Sequence, residues 1–577
     1  MKANIIKILP STIIKIILNF TEDKIIKLSE LIKIDTINFL SIPINYNVLI
    51  IDINIKLIHT KKISLNKIFS NFYKIIIETP NINTCLCNNI LLYCSNLTHI
   101  IYRCYGSSLK DLLNNLKNLT YITFINFNQS LENSLNHLEN LTHCIFGIYF
   151  NQKLDNSLNK LTNLTHLCLS YCFNQELEHS LYKLKKLTYI NFGSHFNKPL
   201  NDSLNQQKNL TCIIFGSHFN KPLDNSLHEL KNLTHLTFSG AFNQPLNNSL
   251  NELTKLTHLS FGIEFNQPLH NSLNKLKLLQ HLVFGYHFNQ HLSDSLNELS
   301  YLKYLTFGAN FNQPIDDSLN KLHKLTHLTF KYHFNQSLYN TTSSLNNLHN
   351  LHNLSHLTFG DHFNQSLTKS LHNLVNLKYL TFGYNFNQPL NDSLHNLPNL
   401  IHLTFGSHFN QHLGNSLNNL LNLTHLTFSN NFNQHLNNSL HNLHNLTHLT
   451  FGDNFYKELK DSLYYLENIT HLTFGVGFNK PLENSLDNLQ NLTHLTFGYN
   501  FNQPFKDSLV KLINLSHLTI SQRFNQPLQS FKDSLNYLKN LSYITFSYSK
   551  YKYNDTYYQK VMHDKFFIQY IVSFEYL

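Results

Sequence analysis

A 23-residue phrase, of which FNQPLNNSLNELTKLTHLSFGIE (Phe242 to Glu264) is one copy, recurs through most of this 577-residue chain. Its leading Phe returns at 23-residue steps from Phe127 to Phe334 and, after a six-residue insertion, from Phe363 to Phe524, giving eighteen copies. A period of this length marks stacked arrays, so the length counts repeats rather than separate globular domains.

Each copy ends in Leu-Thr-His-Leu-Thr-Phe or a close variant, an apolar/polar alternation that predicts a strand with one face buried. In the copy at Phe242 the inward side chains are Leu256, Leu259 and Phe261, the outward ones His258 and Ser260, and Gly262 closes the strand. The preceding Ser-Leu-x-x-Leu-x-x-Leu spaces apolar residues three apart, consistent with a short helical or 3-10 return. One strand and one helical return per unit is the leucine-rich-repeat plan, so the expected fold class is an α/β solenoid with a parallel sheet on one face. A lone 23-residue unit buries too few apolar side chains to offset its chain entropy, so stability has to come from stacking.

Asn holds the second position of seventeen copies, with Tyr456 the exception. A short amide in a tight bend can bond its own and the adjacent coil, which assigns these residues to a structural ladder. Pro at the fourth position, as in Pro245 and Pro268, fixes φ where the chain leaves that bend.

The outward seventeenth position carries His143, His166, His235, His258, His281, His327, His356, His402, His425, His448, His471, His494 and His517; Tyr189, Cys212, Tyr304, Tyr379 and Tyr543 fill the other copies. Strand spacing predicts a column of imidazoles about 4.8 Å apart, flanked by Thr. Three readings fit this column: solvated strand residues multiplied by duplication, a protein-binding face, or a metal site. The last lacks recurrent carboxylates to orient the ligands. Exposed imidazoles titrating near ~6.5 would charge on mild acidification and weaken the stack.

Enzyme signatures are absent from the sequence: it holds no Gly-rich phosphate loop, GxSxG, HExxH or paired-Cys zinc motif, and acids such as Asp294, Asp316 and Asp317 fall at variable repeat positions. A residue repeated in equivalent surroundings does not build one asymmetric catalytic constellation. No catalytic residue, cofactor or metal is therefore expected. The net charge of +10 is diffuse: residues 1–80 hold eleven Lys against six acids, and the repeats themselves carry little excess. That is a poor footprint for nucleic acid. The eight cysteines (Cys85, Cys87, Cys94, Cys104, Cys144, Cys168, Cys172, Cys212) ignore the repeat period and match no zinc spacing, which favours buried free thiols. The N-terminus has neither a long apolar run nor a small-residue cleavage site, so no signal peptide or membrane span is expected. Asn-Leu-Thr sequons such as Asn232-Leu233-Thr234 are by-products of the repeat.

The recurring Phe-Asn-x-Pro-Leu after Leu-Thr-His-Leu-Thr-Phe resembles the FNIP repeat, a leucine-rich-repeat relative typical of large DNA viruses and amoeboid eukaryotes, over residues of about 104–546. Departures are local, such as Phe432-Asn433-Gln434-His435 without its Pro. Many such proteins carry an N-terminal F-box that docks on a Skp-type adaptor of cullin ubiquitin ligases. Here Leu9, Pro10, Ile13, Ile14, Ile17 and Leu18 look like the first F-box helix, with the apolar residues on one helical face. Thr12 replaces the usual acid and the Trp-like ending is missing, so a helix that merely packs on the solenoid fits the same residues. The resulting plan is a degenerate F-box-like module at 1–40, capping repeats at 41–103, the solenoid at 104–546 and a C-terminal cap at 547–577. In that plan Tyr46–Ile51 and Lys74–Ile77 are strands, and Leu97–Tyr102 is a degenerate repeat strand. The resemblance implies a cytoplasmic protein, of a host cell if viral, that binds protein partners and links them to a ubiquitin ligase; the alternative is a structural or decoy scaffold with no such link.

Overall fold

The computed structural model describes residues 25–27, 48–51, 73–77, 94, 96–103, 109, 112–340, 345–346, 348–367, 369–521, 523–527, 535–546 and 567–568. The chain divides into two compact units, Met1–Ile263 and Glu264–Leu577.

In the first unit every strand is parallel to the next and in register one repeat apart. His143–Phe146 pairs with His166–Cys168 so that His143 faces His166, and His235–Phe238 pairs with His258–Ser260 in the same way. The sheet runs back through His99–Tyr102, Lys74–Ile77, Val48–Ile51 and Ile25–Lys27, all parallel. The expected strands before the regular repeats are therefore present. Apart from Ile25–Lys27, residues 1–40 lie outside the described residues, and with them Leu9, Pro10, Ile13, Ile14, Ile17 and Leu18.

The second unit repeats the scheme from His281–Val283 to Tyr543–Phe546, with Phe567–Ile568 pairing to the latter. Apart from the 26-residue step from His517 to Tyr543, the departure among the described residues is the six-residue insertion, where Tyr339–Asn340 and Leu345–Asn346 form a two-residue antiparallel pair. The array resumes at once: His327–Thr329 pairs in register with His356–Thr358.

The core follows the expected columns. Leu246, Leu250, Leu253, Leu256, Leu259, Phe242 and Phe261 are all 0–3 % exposed, and the equivalent residues of other coils match them. Each such side chain contributes about 1.5–3 kcal/mol on burial. The returns, by contrast, are not continuous helices. In the copy at Phe242, N–H groups of Ser249, Asn251, Leu253 and Leu256 donate to carbonyls three residues back, to Leu246, Asn248, Leu250 and Leu253. Because these turns alternate instead of following residue by residue, they seldom build a helix. Lys460–Leu463 is a 3-10 segment. The turns start from a left-handed residue at the sixth position, such as Glu132, Asn247 and Lys506 at φ 45°, or Gly414 at φ 50°. That backbone breaks the helical path before it begins.

Coils are tied edge to edge by the predicted amide ladder. Asn312 Oδ1 accepts the N–H of Asn335 at 2.9 Å and the Nε2 of Gln336 at 3.1 Å, and the pattern passes from coil to coil. Even Tyr456, which lacks the amide, donates its N–H to Asn433 Oδ1 at 3.0 Å. Among the described residues no helix is long and apolar enough to cross a membrane.

Candidate functional site: the stacked imidazole face

Each sheet position is fixed by a bifurcated carbonyl. Thr424 O accepts the N–H groups of both Thr447 and His448 at 2.9 Å. The Thr447 hydroxyl donates to the same carbonyl at 3.0 Å, and its oxygen lies 2.9 Å from Nδ1 of His448. Where a Thr precedes the His it therefore clamps the imidazole to its own coil and, through the carbonyl, to the one before. Ser355 and Ser516 do the same for His356 and His517. His281 and His402 follow Gln280 and Ile401 and lack this hydroxyl.

With the rings held this way the column becomes a stack. In the second unit ring centroids follow one another without a gap from His281 through Tyr304, His327, His356, Tyr379, His402, His425, His448, His471, His494 and His517 to Tyr543. The steps range from 3.9 Å (His327 to His356) to 4.7 Å (Tyr379 to His402). The tyrosines that interrupt the His pattern in the sequence thus preserve a flat ring in the column. In the first unit the stack runs His99, Tyr121, His143, His166 and Tyr189 at 4.0–5.5 Å. It is then broken by Cys212 and resumes with His235 and His258 at 4.1 Å. His99 is a member that repeat counting missed, because its copy precedes the first regular Phe.

Stacking changes the chemistry expected of these residues. His235 is exposed, while His143, His166, His258, His281, His327, His356, His402, His425, His448, His471, His494 and His517 are half-buried between neighbouring rings. Burial first, then the charge of adjacent imidazoles, lowers His143 and His425 to about 4. The same causes lower His327, His448, His471 and His494; burial lowers His166, His235 and His402, and burial with Lys378 lowers His356. The expectation that mild acidification charges the column is therefore corrected: these imidazoles take up a proton less readily than an exposed His, because a proton on one ring is poorly solvated and repels the next. At neutral pH the histidines lowered in this way are neutral, polar ring edges.

Parallel stacked rings project their nitrogens side by side rather than toward one point, a poor arrangement for chelation. Among the described residues no group of three or more His, Cys, Asp or Glu could hold a metal ion. Cys94, Cys144 and Cys168 are buried free thiols. Burial pushes Cys94 and Cys168 up to about 12 and raises Cys144 further, so they are unreactive core residues. Cys212 is pushed up to about 11. Cys85, Cys87 and Cys104 lie outside the described residues.

Within the second unit the sheet is the tight side of the coil stack. Equivalent Phe rings at the start of successive repeats are 6.0 Å apart at Phe334–Phe363 and 6.1 Å at Phe363–Phe386, against 3.9 and 4.2 Å for the column members of the same coils. The coils fan open away from the imidazoles.

Comparison with known proteins agrees with this geometry. The FNIP repeat family profile matches residues 375–406. The solved structure of CroV588, described as a novel circular LRR protein, is 30 % identical, with a TM-score of 0.66 over 84 % of this chain and 74 % of that one. The chain belongs to the leucine-rich-repeat proteins. As a leucine-rich-repeat chain it also shares its fold with the TLR13–ssRNA13 complex (15 % identity, TM-score 0.55, 87 % of this chain and 81 % of that one). The mouse RP105/MD-1 complex is similar as well (16 % identity, TM-score 0.50, 82 % and 86 %). No curated protein matches at a significant level.

Proposed function

We propose that this leucine-rich-repeat chain is a non-enzymatic interaction scaffold that holds a protein partner on its imidazole face. The observation that carries the reading is the unbroken stack from His281 to Tyr543: both faces of each interior ring are spent on its neighbours, so the ring edges and the adjacent hydroxyls face outward. A rigid, neutral, hydrogen-bonding surface loses little side-chain entropy on association. It is also equivalent from coil to coil, which suits recognition and not catalysis. Similar folds carry binding partners, as in the RP105/MD-1 complex. The buried free thiols favour a reducing compartment such as the cytoplasm.

The finer reading is a substrate-recruiting subunit whose F-box-like segment, Leu9 to Phe20, docks on a Skp-type adaptor of a cullin ubiquitin ligase. It rests on the Leu-Pro opening and the apolar spacing at Ile13, Ile14, Ile17 and Leu18. Pull-down with a Skp-type adaptor, comparing the full chain with a chain lacking residues 1–40, tests it. Adaptor retained by the full chain and lost on deletion supports the link; no adaptor on either leaves a scaffold without ligase function. The face itself is tested by proximity labelling in cells with the triple variant His402→Ala, His425→Ala, His448→Ala. Unchanged labelling of every neighbour by a folded variant would remove the imidazole face from the proposal.

A further inference from the structure

A second row of rings lies outside the imidazole column and is absorbed by none of the roles above. In the six coils from Phe288 to Phe409 the residue two before the leading Phe alternates between a large ring and a smaller side chain (Tyr286, Ala309, Tyr332, Asp361, Tyr384, Ser407), and the alternation ends with Asn430 and Asp453. The three tyrosines are 50, 45 and 50 % exposed, although aromatic rings of this size usually find cover. They are held in place. Tyr332 packs against His333 at 4.7 Å and His362 at 4.6 Å, and Tyr384 against His408 at 4.5 Å. Coil-to-coil bonds fix the backbone beneath them, with His362 N–H donating to Tyr332 O at 2.8 Å and His408 N–H to Tyr384 O at 2.9 Å.

The same three imidazoles wall an open cavity of about 570 Å³ whose floor is the amide ladder, Asn312, Asn335, Asn364 and Asn387. Each of these amides uses Oδ1 to accept the N–H of the next coil's Asn at 2.9 Å. Among the described residues their Nδ2 groups have no hydrogen-bond partner in the protein, so the floor presents a row of neutral donors. The residues lining the cavity are Asn and His, with no Lys, Arg, Asp or Glu among them. The site therefore offers no net attraction to a polyanion. What it offers is a flat apolar ring on every second coil, at between about 9.5 Å, twice the strand spacing, and about 12 Å, twice the 6.0 Å between successive leading Phe rings, beside a polar trough that runs across the coils.

We propose that this trough binds a neutral, extended, β(1→4)-linked hexose chain. Such a chain is rich in hydroxyls for the amide and imidazole edges, and it turns the same apolar sugar face outward at every second residue, in step with Tyr286, Tyr332 and Tyr384. The site is separate from the imidazole column, so its failure would leave the protein-binding reading intact, and the reverse holds too.

Isothermal titration of the full chain with cellohexaose, mannohexaose and chitohexaose tests the assignment, with maltohexaose as the linkage control and a heparin hexasaccharide as the charge control. The expected result is binding of at least one of the three β-linked hexamers and none of the controls. Tyr332→Ala and Tyr384→Ala should each weaken binding about tenfold, a loss within reach of one aromatic contact, while Tyr332→Phe retains it. Both tyrosines are exposed on different coils, and circular dichroism checks that each variant remains folded. Failure of all three β-linked hexamers, equal binding of either control, or affinity unchanged in both alanine variants would overturn the proposal.

Discussion

The seventeenth residue of the repeat shows how a local pair sets a collective property. Thr-His places a hydroxyl 2.9 Å from the ring nitrogen of His448, and the ring then stacks 4.3 Å from His471. Once the rings are stacked, proton uptake is penalised in the folded protein and unpenalised in the unfolded chain. The lowered folded values put the stability contribution in full above the unfolded value near ~6.5, and it is lost as pH falls toward the folded values, about 4 for His143 and His425. Thermal midpoints should therefore be flat above neutrality and decline between about pH 6.5 and 5, before most carboxylates titrate. A His425→Gln variant should show a shallower decline, and imidazole titration by NMR should place His425 well below an exposed His. The column itself was legible in the sequence from its spacing. Its stacking was not, because ring orientation depends on a hydroxyl clamp from the residue before the His to the preceding coil, whereas the sequence reading weighed the Thr two places after it.

At the scale of one coil, the strands lie where alternation placed them, since each needs only its own Leu and Phe to declare an inward face. The returns were legible in their apolar spacing and not in their backbone. The left-handed sixth residue is Glu, Asp, Asn, His, Ser or Lys in most copies, with glycine only at Gly414, so the residue type that usually announces such a bend is missing. The amide ladder was legible as a structural device, and it can be measured. Asn387→Ala removes the acceptor for the Asn410 N–H and for Gln411 Nε2, leaving a backbone donor unpaired inside a bend. This should cost about 1–3 kcal/mol in urea unfolding. Asn387→Asp keeps the acceptor oxygen and should cost less. Equal losses in the two variants would assign the stabilisation to something other than that oxygen. The tyrosine strip escaped the sequence reading because it sits at a variable position of the repeat, two before the leading Phe, where successive copies carry no constant residue type.

For each unit as a whole, stability is the sum of near-identical coils and the interfaces between neighbours. Removing residues 410–432, one full 23-residue period, joins Phe409 to Asn433 and offers every remaining strand an equivalent partner. The shortened chain should keep its circular dichroism per residue and lose only part of its unfolding free energy. A deletion of half that length sets Leu and His columns out of register and should abolish the cooperative transition. The insertion between Asn340 and Leu345 is the natural counterpart of this experiment. There the chain leaves the array, pairs briefly with itself, and returns so that Asn335 Oδ1 still accepts the N–H of Asn364 at 2.9 Å, 29 residues away instead of 23. Such a junction is a port: a fluorescent domain or an affinity handle grafted at this point would report on the protein in living cells while the flanking rungs keep their partners.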